Sequence, residues 1–201
     1  MIKSPTSSVD PISSAMDLFW ERGYVATSLS DLLARMRVSR KRIYSTYGSK
    51  EALFQAVLQA YVQREALPRM ACLMGPERGL AAVEAYLRSW TFSSDFRGCL
   101  LWNSVAEKEN LSPEANGIVK AYFEQLRAAL LENFVAAKNR GQLSNEATPV
   151  DLTNLALNTA MGMSLMGKMV GDAEASEHML NLLLSGMRPK RSSNTHPATA
   201  C

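Results

Sequence analysis

The feature that most constrains this chain is a helical hydrophobic period that recurs, segment after segment, between recognisable start and stop residues. Ile12, Ala15, Met16, Phe19 and Trp20 fall at i, i+3, i+4, i+7 and i+8, and Gly23 supplies the stop. Leu29, Leu32, Leu33 and Met36 repeat the spacing behind a cap at Thr27 or Ser28, where Ser28-x-x-Asp31 fits a start, with Val38 in the turn that follows. Ser39 caps a third short segment, 40–47, in which Ile43 and one or both of Tyr44 and Tyr47 face inward. Gly48-Ser49 breaks it and caps a fourth, whose Leu53, Phe54, Val57, Leu58 and Tyr61 form one stripe before Pro68. Each stripe is one face of a helix that must be buried against another. No extended β-branched alternation competes with it, so the spacing predicts an all-α fold and argues against a sheet enzyme.

The rest of the chain has the same grammar with longer helices. Leu80, Val83, Leu87 and Trp90 mark one helix, Gly98 interrupts, and 100–109 reads as a short one. Ser112-Pro113-Glu114 combines a cap, a proline at the first helical position and a carboxylate near the positive end of the dipole, and the helix it opens runs to Lys138-Asn139-Arg140-Gly141. Thr148-Pro149-Val150-Asp151 repeats that start for a helix ended by Gly171, and 172–186 is the last, about nine in all. Residues 1–8 and 189–201, rich in Ser, Thr and Pro, are expected to be flexible tails. No period of 20 to 50 residues recurs, which excludes a solenoid.

Composition excludes several function classes. Lys+Arg at 22 against Asp+Glu at 19 gives a net charge of +3, too small to mark the whole chain as a nucleic-acid binder. Divided along the chain, it is less neutral: residues 1–64 carry nine basic and five acidic side chains, a net of +4, while 65–187 carry ten and fourteen, a net of −4. Two histidines, His178 and His196, and three separated cysteines, Cys72, Cys99 and Cys201, leave too few ligands for a zinc site, and no metal or cofactor is expected. The odd cysteine count without a signal peptide points to a reducing cytoplasm. The longest uncharged run, 152–167, is short of a membrane span and contains polar residues, so no membrane partner is expected. No phosphate-binding glycine loop, no dinucleotide fingerprint and no zinc-protease motif is present, and no acid/base pair or nucleophile constellation emerges, so an enzyme is the weakest reading.

The charge is concentrated where the helices are shortest. Residues 28–47 have the size of a helix-turn-helix unit, which lays its second helix in the DNA major groove. Between Asp31 and Glu51 stand Arg35, Arg37, Arg40, Lys41, Arg42 and Lys50 with no acidic residue among them. Three of these crowd the first turn of the second helix, where a cation opposes the helix dipole at roughly 0.3–1 kcal/mol each. Phosphates and guanine edges are one reason to accept that cost. A solvated basic face on a helical interaction module is the rival reading.

These residues carry a resemblance. Ala15-Met16-Asp17-Leu18-Phe19, Glu21-Arg22-Gly23-Tyr24, Ala26-Thr27-Ser28, Val38-Ser39, Ile43-Tyr44 and Gly48-Ser49-Lys50-Glu51-Ala52-Leu53 stand in the order and spacing of the TetR family of bacterial transcriptional regulators. Residues 12–62 resemble the family's N-terminal DNA-binding domain, and the helical remainder is similar to its larger domain, which usually binds a small effector and dimerises. The resemblance implies a DNA-binding domain over 6–66, made of three helices with the helix-turn-helix at about 28–47 and a linker helix, and an effector-binding and dimerisation domain over 67–188. It further implies that Ser39, Arg40, Lys41, Arg42 and Ser45 face bases and that Ser28, Tyr44 and Lys50 hold phosphates. The chain departs from the family's pattern at Arg37, where a turn glycine is usual, at Lys41 and Arg42, where small residues are common, and at Thr46, where an aromatic or histidine is common. A left-handed Arg37 would cost roughly 1–2 kcal/mol, which a phosphate contact could offset.

Arg97-Gly98-Cys99-Leu100-Leu101-Trp102-Asn103-Ser104 resembles a segment of a subgroup in which some members sense electrophiles or oxidants through a cysteine. Cys99 reads either as a small buried apolar residue or as such a sensor. Lys168, the only charge between Asp151 and Asp172, reads either as a lysine complementing a helix end or as an ammonium that activates the thiol. With Trp102, Asn103 and Met163 these residues make the candidate effector site, although Met161, Met163, Met166 and Met169 also suit a methionine-filled core. The expected protein is a homodimer that joins through its last two helices, binds a palindromic double-stranded operator through 40–47 of each subunit, and represses until a small-molecule or electrophile effector releases it.

Overall fold

The computed structural model describes residues 10–90, 96–144, 146–169 and 171–189. The expected tails lie outside these apart from Pro189, as do His196 and Cys201. Among the described residues all regular structure is helical: α1 (Pro11–Arg22), α2 (Leu29–Met36), α3 (Arg40–Tyr47), α4 (Lys50–Tyr61), α5 (Leu67–Met70), α6 (Leu80–Arg88), α7 (Leu100–Ala106), α8 (Pro113–Asn139), α9 (Pro149–Met169) and α10 (Ala173–Met187). None of these is long and apolar enough to cross a membrane.

The start and stop residues work as their chemistry requires. Asp10 accepts from Ile12 N at 3.2 Å to open α1, and Gly23, at φ 85°, ends it. Ser28 and Asp31 form a reciprocal box at α2: Asp31 N donates to Ser28 Oγ and Ser28 N to Asp31 Oδ2, each at 3.1 Å. The Asp31 carboxyl is thereby held below its usual range, first by the Ser28 hydroxyl. Ser39, Ser49 and Ser112 cap α3, α4 and α8, and Thr148 with Asp151 repeats the box at α9. Each such cap stabilises a helix by about 1 kcal/mol.

The fourth helix does not end before Pro68. It continues from α4 through a wider π turn, Val62–Ala66, into α5 and a 3₁₀ turn, Ala71–Met74. Pro68 has no N–H and its ring would strike the carbonyl four residues back, so an unbroken α-helix is costly there. The π turn, in which Leu67 N bonds Val62 O, shifts the hydrogen-bond register and lets the rod pass the proline. The segment 100–109 also divides, because Glu107 N closes on Ser104 O and a separate 3₁₀ turn, Lys108–Asn110, follows.

In the N-terminal part α1 packs against α2 and α4, and α3 lies on α4. Phe19, Leu32, Ile43, Leu53 and Phe54 are buried between them, with Phe19 and Phe54 edge to face at 4.8 Å. In the larger part α8 is the central element, in contact with α4, α6 and α9. Leu126, Leu130, Phe134, Ala156 and Ala160 are buried there. Asn133 is fully buried and fully used: its amide donates to Leu73 O and Ala129 O, and its carbonyl accepts from Gly79 N, which pins the start of α6 to α8.

Candidate functional site

The turn between α2 and α3 places α3 with one buried face and one open face. Ile43 is fully buried, Tyr47 packs partly against the core, and Tyr44 points outward at 49% exposure, so one of the two tyrosines faces inward. Arg37 is the left-handed corner, at φ 54° and ψ 41°, and the sole non-glycine at positive φ among the described residues. A β-carbon there costs roughly 1–2 kcal/mol, so the glycine that would be usual is replaced at a real conformational expense.

Ser28, Arg37, Ser39, Arg40, Lys41, Arg42, Tyr44, Ser45 and Thr46 are all exposed. Ser39 and Ser45 also have local duties, since Ser39 Oγ accepts from Arg42 N and Ser45 Oγ donates to Arg42 O. The basic residues divide into two groups. Arg35 is paired with Glu21 at 3.0 Å, whereas Arg37, Arg40, Lys41 and Arg42 make no ion pair among the described residues. Four uncompensated cations on one short helix and its preceding turn attract a polyanion.

Lys50 departs from the expected pattern. It is half-buried, its Nζ donates to Tyr24 O at 2.7 Å, and it lies 4.3 Å from the Tyr24 ring centroid. Burial lowers its pKa, opposed by the charge of Glu107. Its ammonium therefore fastens the α1–α2 turn to the start of α4.

That turn is also held from the other side of the molecule. Glu107, just past α7, accepts from Tyr24 N at 2.7 Å and Val25 N at 3.1 Å. A β-carbon on Gly23 would stand 2.8 Å from the Glu107 carboxylate, so the stop glycine is also the one residue slim enough for this contact. At the opposite end of α7, Trp20 Nε1 donates to Gly98 O at 3.0 Å, and Arg97 pairs with Asp17 at 2.9 Å while stacking 4.2 Å from the Trp20 ring. Cys99 N then donates to Ser164 Oγ on α9 at 2.8 Å. Both ends of one short helix thus grip the N-terminal part, and its start is tied to α9. No local periodicity announces Glu107, because the contact joins residues more than eighty apart in sequence.

The five candidate effector residues do not converge on one chamber. Cys99 is buried, and burial pushes its thiol pKa up against a smaller pull from the Tyr61 hydroxyl. Lys168 is exposed and the nearby cation that acts on the thiol is Arg69, so of its two readings the lysine at a helix end is the one the geometry favours. Asn103 donates to Arg97 O and serves the segment before α7. Met163 is buried and lines a groove of about 470 Å³ between α9 and α10. The Trp102 ring meets that of Phe123 at a 32° tilt, 3.9 Å between centroids, in the wall of a separate cavity. Sequence reasoning missed a different cluster around Cys99: Tyr61 Oη, Tyr86 Oη and Trp90 Nε1 are buried there without a well-formed hydrogen bond, with the Cys99 thiol beside Tyr61 and the Tyr122 hydroxyl beside Tyr86. Arg69 lies 4.3 Å over the Trp90 ring beside them.

One face of the larger part is left apolar. Val150, Leu155, Leu165, Met166 and Met169 on α9, with Met179 and Leu182 on α10, are between 41% and 75% exposed. Met166 and Met169 therefore belong to this surface and not to a methionine-filled core.

Comparison with known proteins agrees with this architecture. Residues 12–57 match the family described as bacterial regulatory proteins, tetR family, and residues 75–183 match the tetracyclin repressor-like C-terminal domain. The chain is 26% identical to YezE of Bacillus subtilis, an HTH-type transcriptional regulator, covering 85% of this chain and 91% of the relative. It is 29% identical to the HTH-type transcriptional repressor ComR of Escherichia coli, covering 78% and 77%. A structure of the regulator CifR, solved as a cysteine mutant with 26-base-pair operator DNA, superposes with a TM-score of 0.73 at 24% identity, over 90% of this chain and 98% of that one. Two family matches that together take in the helix-turn-helix and more than half of the chain leave one assignment: the protein belongs to the TetR family of DNA-binding transcriptional regulators.

Proposed function

We propose that the protein is an operator-specific repressor, built as a homodimer, whose α3 enters the major groove in each of two half-sites. The observation that carries this reading is the set of unpaired cations at Arg37, Arg40, Lys41 and Arg42, exposed on the turn before α3 and on α3 itself, whose other face is anchored by Ile43. In it, Arg40, Lys41, Arg42, Ser39, Ser45 and Thr46 meet base edges, while Ser28, Arg37 and Tyr44 meet phosphates. Lys50 contributes by holding the turn, with its remaining protons available to a phosphate. The DNA-binding part spans 6–66 and the regulatory part 67–188, although the α4–α5 rod runs through that boundary.

The dimer is inferred from the apolar strip on α9 and α10, which a soluble cytoplasmic monomer would expose to water at a cost. One short recognition helix reads few bases, and two-fold symmetry doubles the readout. A small-molecule effector releases the DNA by favouring an arrangement in which the two α3 helices no longer match the half-site spacing. No catalytic activity is part of this reading.

Selection of bound sequences from a random duplex pool tests it. A recovered palindrome with half-sites about one helical turn apart supports it, and uniform weak binding to any duplex at physiological salt rejects it. The rival, a helical interaction module with a basic surface, predicts the second outcome. Thiol sensing is tested separately with Cys99→Ser: if electrophiles release the operator from this variant as they do from the wild type, Cys99 is not the sensor.

A further inference from the structure

A cavity of about 570 Å³ opens between α7, α8 and α9, within the ~300–1,000 Å³ typical of sites for small organic molecules. Its wall is apolar and aromatic, formed by the rings of Trp102 and Phe123, tilted 32° to one another, with Val105 and Leu157 beside them. Its rim is cationic: Lys108, Lys120 and Arg127 stand around it with one carboxylate, Glu124, which is 3.6 Å from Lys120. Residues 65–187 hold ten basic and fourteen acidic side chains, so three cations and one acid at one rim run against the charge of the surrounding domain. Lys108 makes no ion pair among the described residues, and Arg127 is turned to the neutral Asn154. None of the residues that line the cavity belongs to the exposed strip on α9 and α10.

We propose that this cavity binds a small planar aromatic molecule bearing one carboxylate, its ring against the Trp102–Phe123 pair and its anion drawn by the cationic rim of Lys108, Lys120 and Arg127. The proposal rests on the reading of this protein as effector-responsive and names the chemistry of the effector. It also supplies the route: Trp102 and Val105 belong to α7, the helix whose two flanks hold Trp20, Tyr24 and Val25. A ligand that moves this wall moves the grip on the DNA-binding part.

The test is calorimetric titration of the full chain with naphthalene-2-carboxylate and, in parallel, with the neutral naphthalene-2-methanol. The expected result is one carboxylate bound per chain, with the alcohol roughly tenfold weaker. Lys108→Gln combined with Arg127→Gln should weaken the carboxylate roughly three- to tenfold and leave the alcohol unchanged, as expected for exposed charge contacts. Val105→Trp, which fills the cavity from a half-exposed position, should abolish both. The double charge variant alters only surface side chains, so it remains informative if Val105→Trp fails to fold. Equal affinities for acid and alcohol, no response to the charge variants, or no saturable binding at millimolar ligand would each overturn the proposal. These titrations contain no DNA, so failure of the operator reading and failure of this site are read out independently.

Discussion

The two parts of the molecule leave different things unfinished. In the N-terminal part nearly every polar group near the helix ends is used locally, by Asp10, Ser28, Asp31, Ser39 and Ser49, and the apolar faces are buried. What remains unsatisfied there is charge. In the larger part the reverse holds: Arg88 is paired with Glu84 and Glu177, but an apolar strip is exposed on α9 and α10, and Tyr86 Oη and Trp90 Nε1 are buried without a well-formed hydrogen bond. A fold that leaves cations bare calls for a polyanion, and one that leaves apolar surface and buried donors calls for another protein surface or a small molecule. The two kinds of deficit match the two kinds of partner proposed above.

Substitutions that remove each deficit put this contrast at risk. Replacing Arg40, Lys41 and Arg42 together by Ala should lower operator affinity by more than about 3 kcal/mol, over a hundredfold, since each base-directed contact is worth roughly 1–3 kcal/mol. Anisotropy titrations should also show a shallower salt dependence, with helicity unchanged. Met166→Glu with Leu182→Glu buries unpaired charge if α9 and α10 meet their mates, so sedimentation should show a monomer, destabilised as a dimer by roughly 3–5 kcal/mol. An unchanged mass would remove the apolar strip from the interface. Glu107→Ala strips the acceptor from Tyr24 N and Val25 N and should destabilise the junction by about 1–3 kcal/mol, with faster amide exchange at the α1–α2 turn.

Arg37→Gly relieves the left-handed strain, at φ 54°, and should raise thermal stability by about 1 kcal/mol or less, because glycine's greater unfolded entropy offsets part of the gain. If operator binding weakens in the more stable variant, Arg37 is a DNA contact. The smallest effect concerns acid. Asp31 is held below 3.8, so its contribution is present above that value and is lost as pH falls through the lower folded value. Unfolding midpoints followed downward from pH 5 should decline more steeply for the wild type than for Asp31→Asn.

Helix after helix was legible because its determinants are local. Gly23, Ser28, Ser39, Gly48, Ser112 and Thr148 act within four residues of their own position, and each stands where its cap or stop is needed. The α3 cations were legible for the same reason, as a run of like charge on one turn. Pro68 misled because a proline read alone is a helix terminator, whereas α8 and the other helices packed on this rod support it through a π turn. Cys99 and Lys168 stayed ambiguous because helical spacing gives no distance between helices. The thiol went into the core beside Tyr61 and the ammonium went to the surface.

The sequence by itself therefore determined the all-helical class, the order of the elements and the position of the basic helix α3, since propensity, capping and charge density are properties of neighbouring residues. Tertiary structure alone decided that Lys50 and Glu107 clasp the same turn from two sides, and that α7 joins the DNA-binding part to α9. It also decided that Trp102 meets Phe123 at the wall of a cavity. Those contacts bring together residues tens of positions apart, and a one-dimensional pattern carries no information about which distant faces pack together.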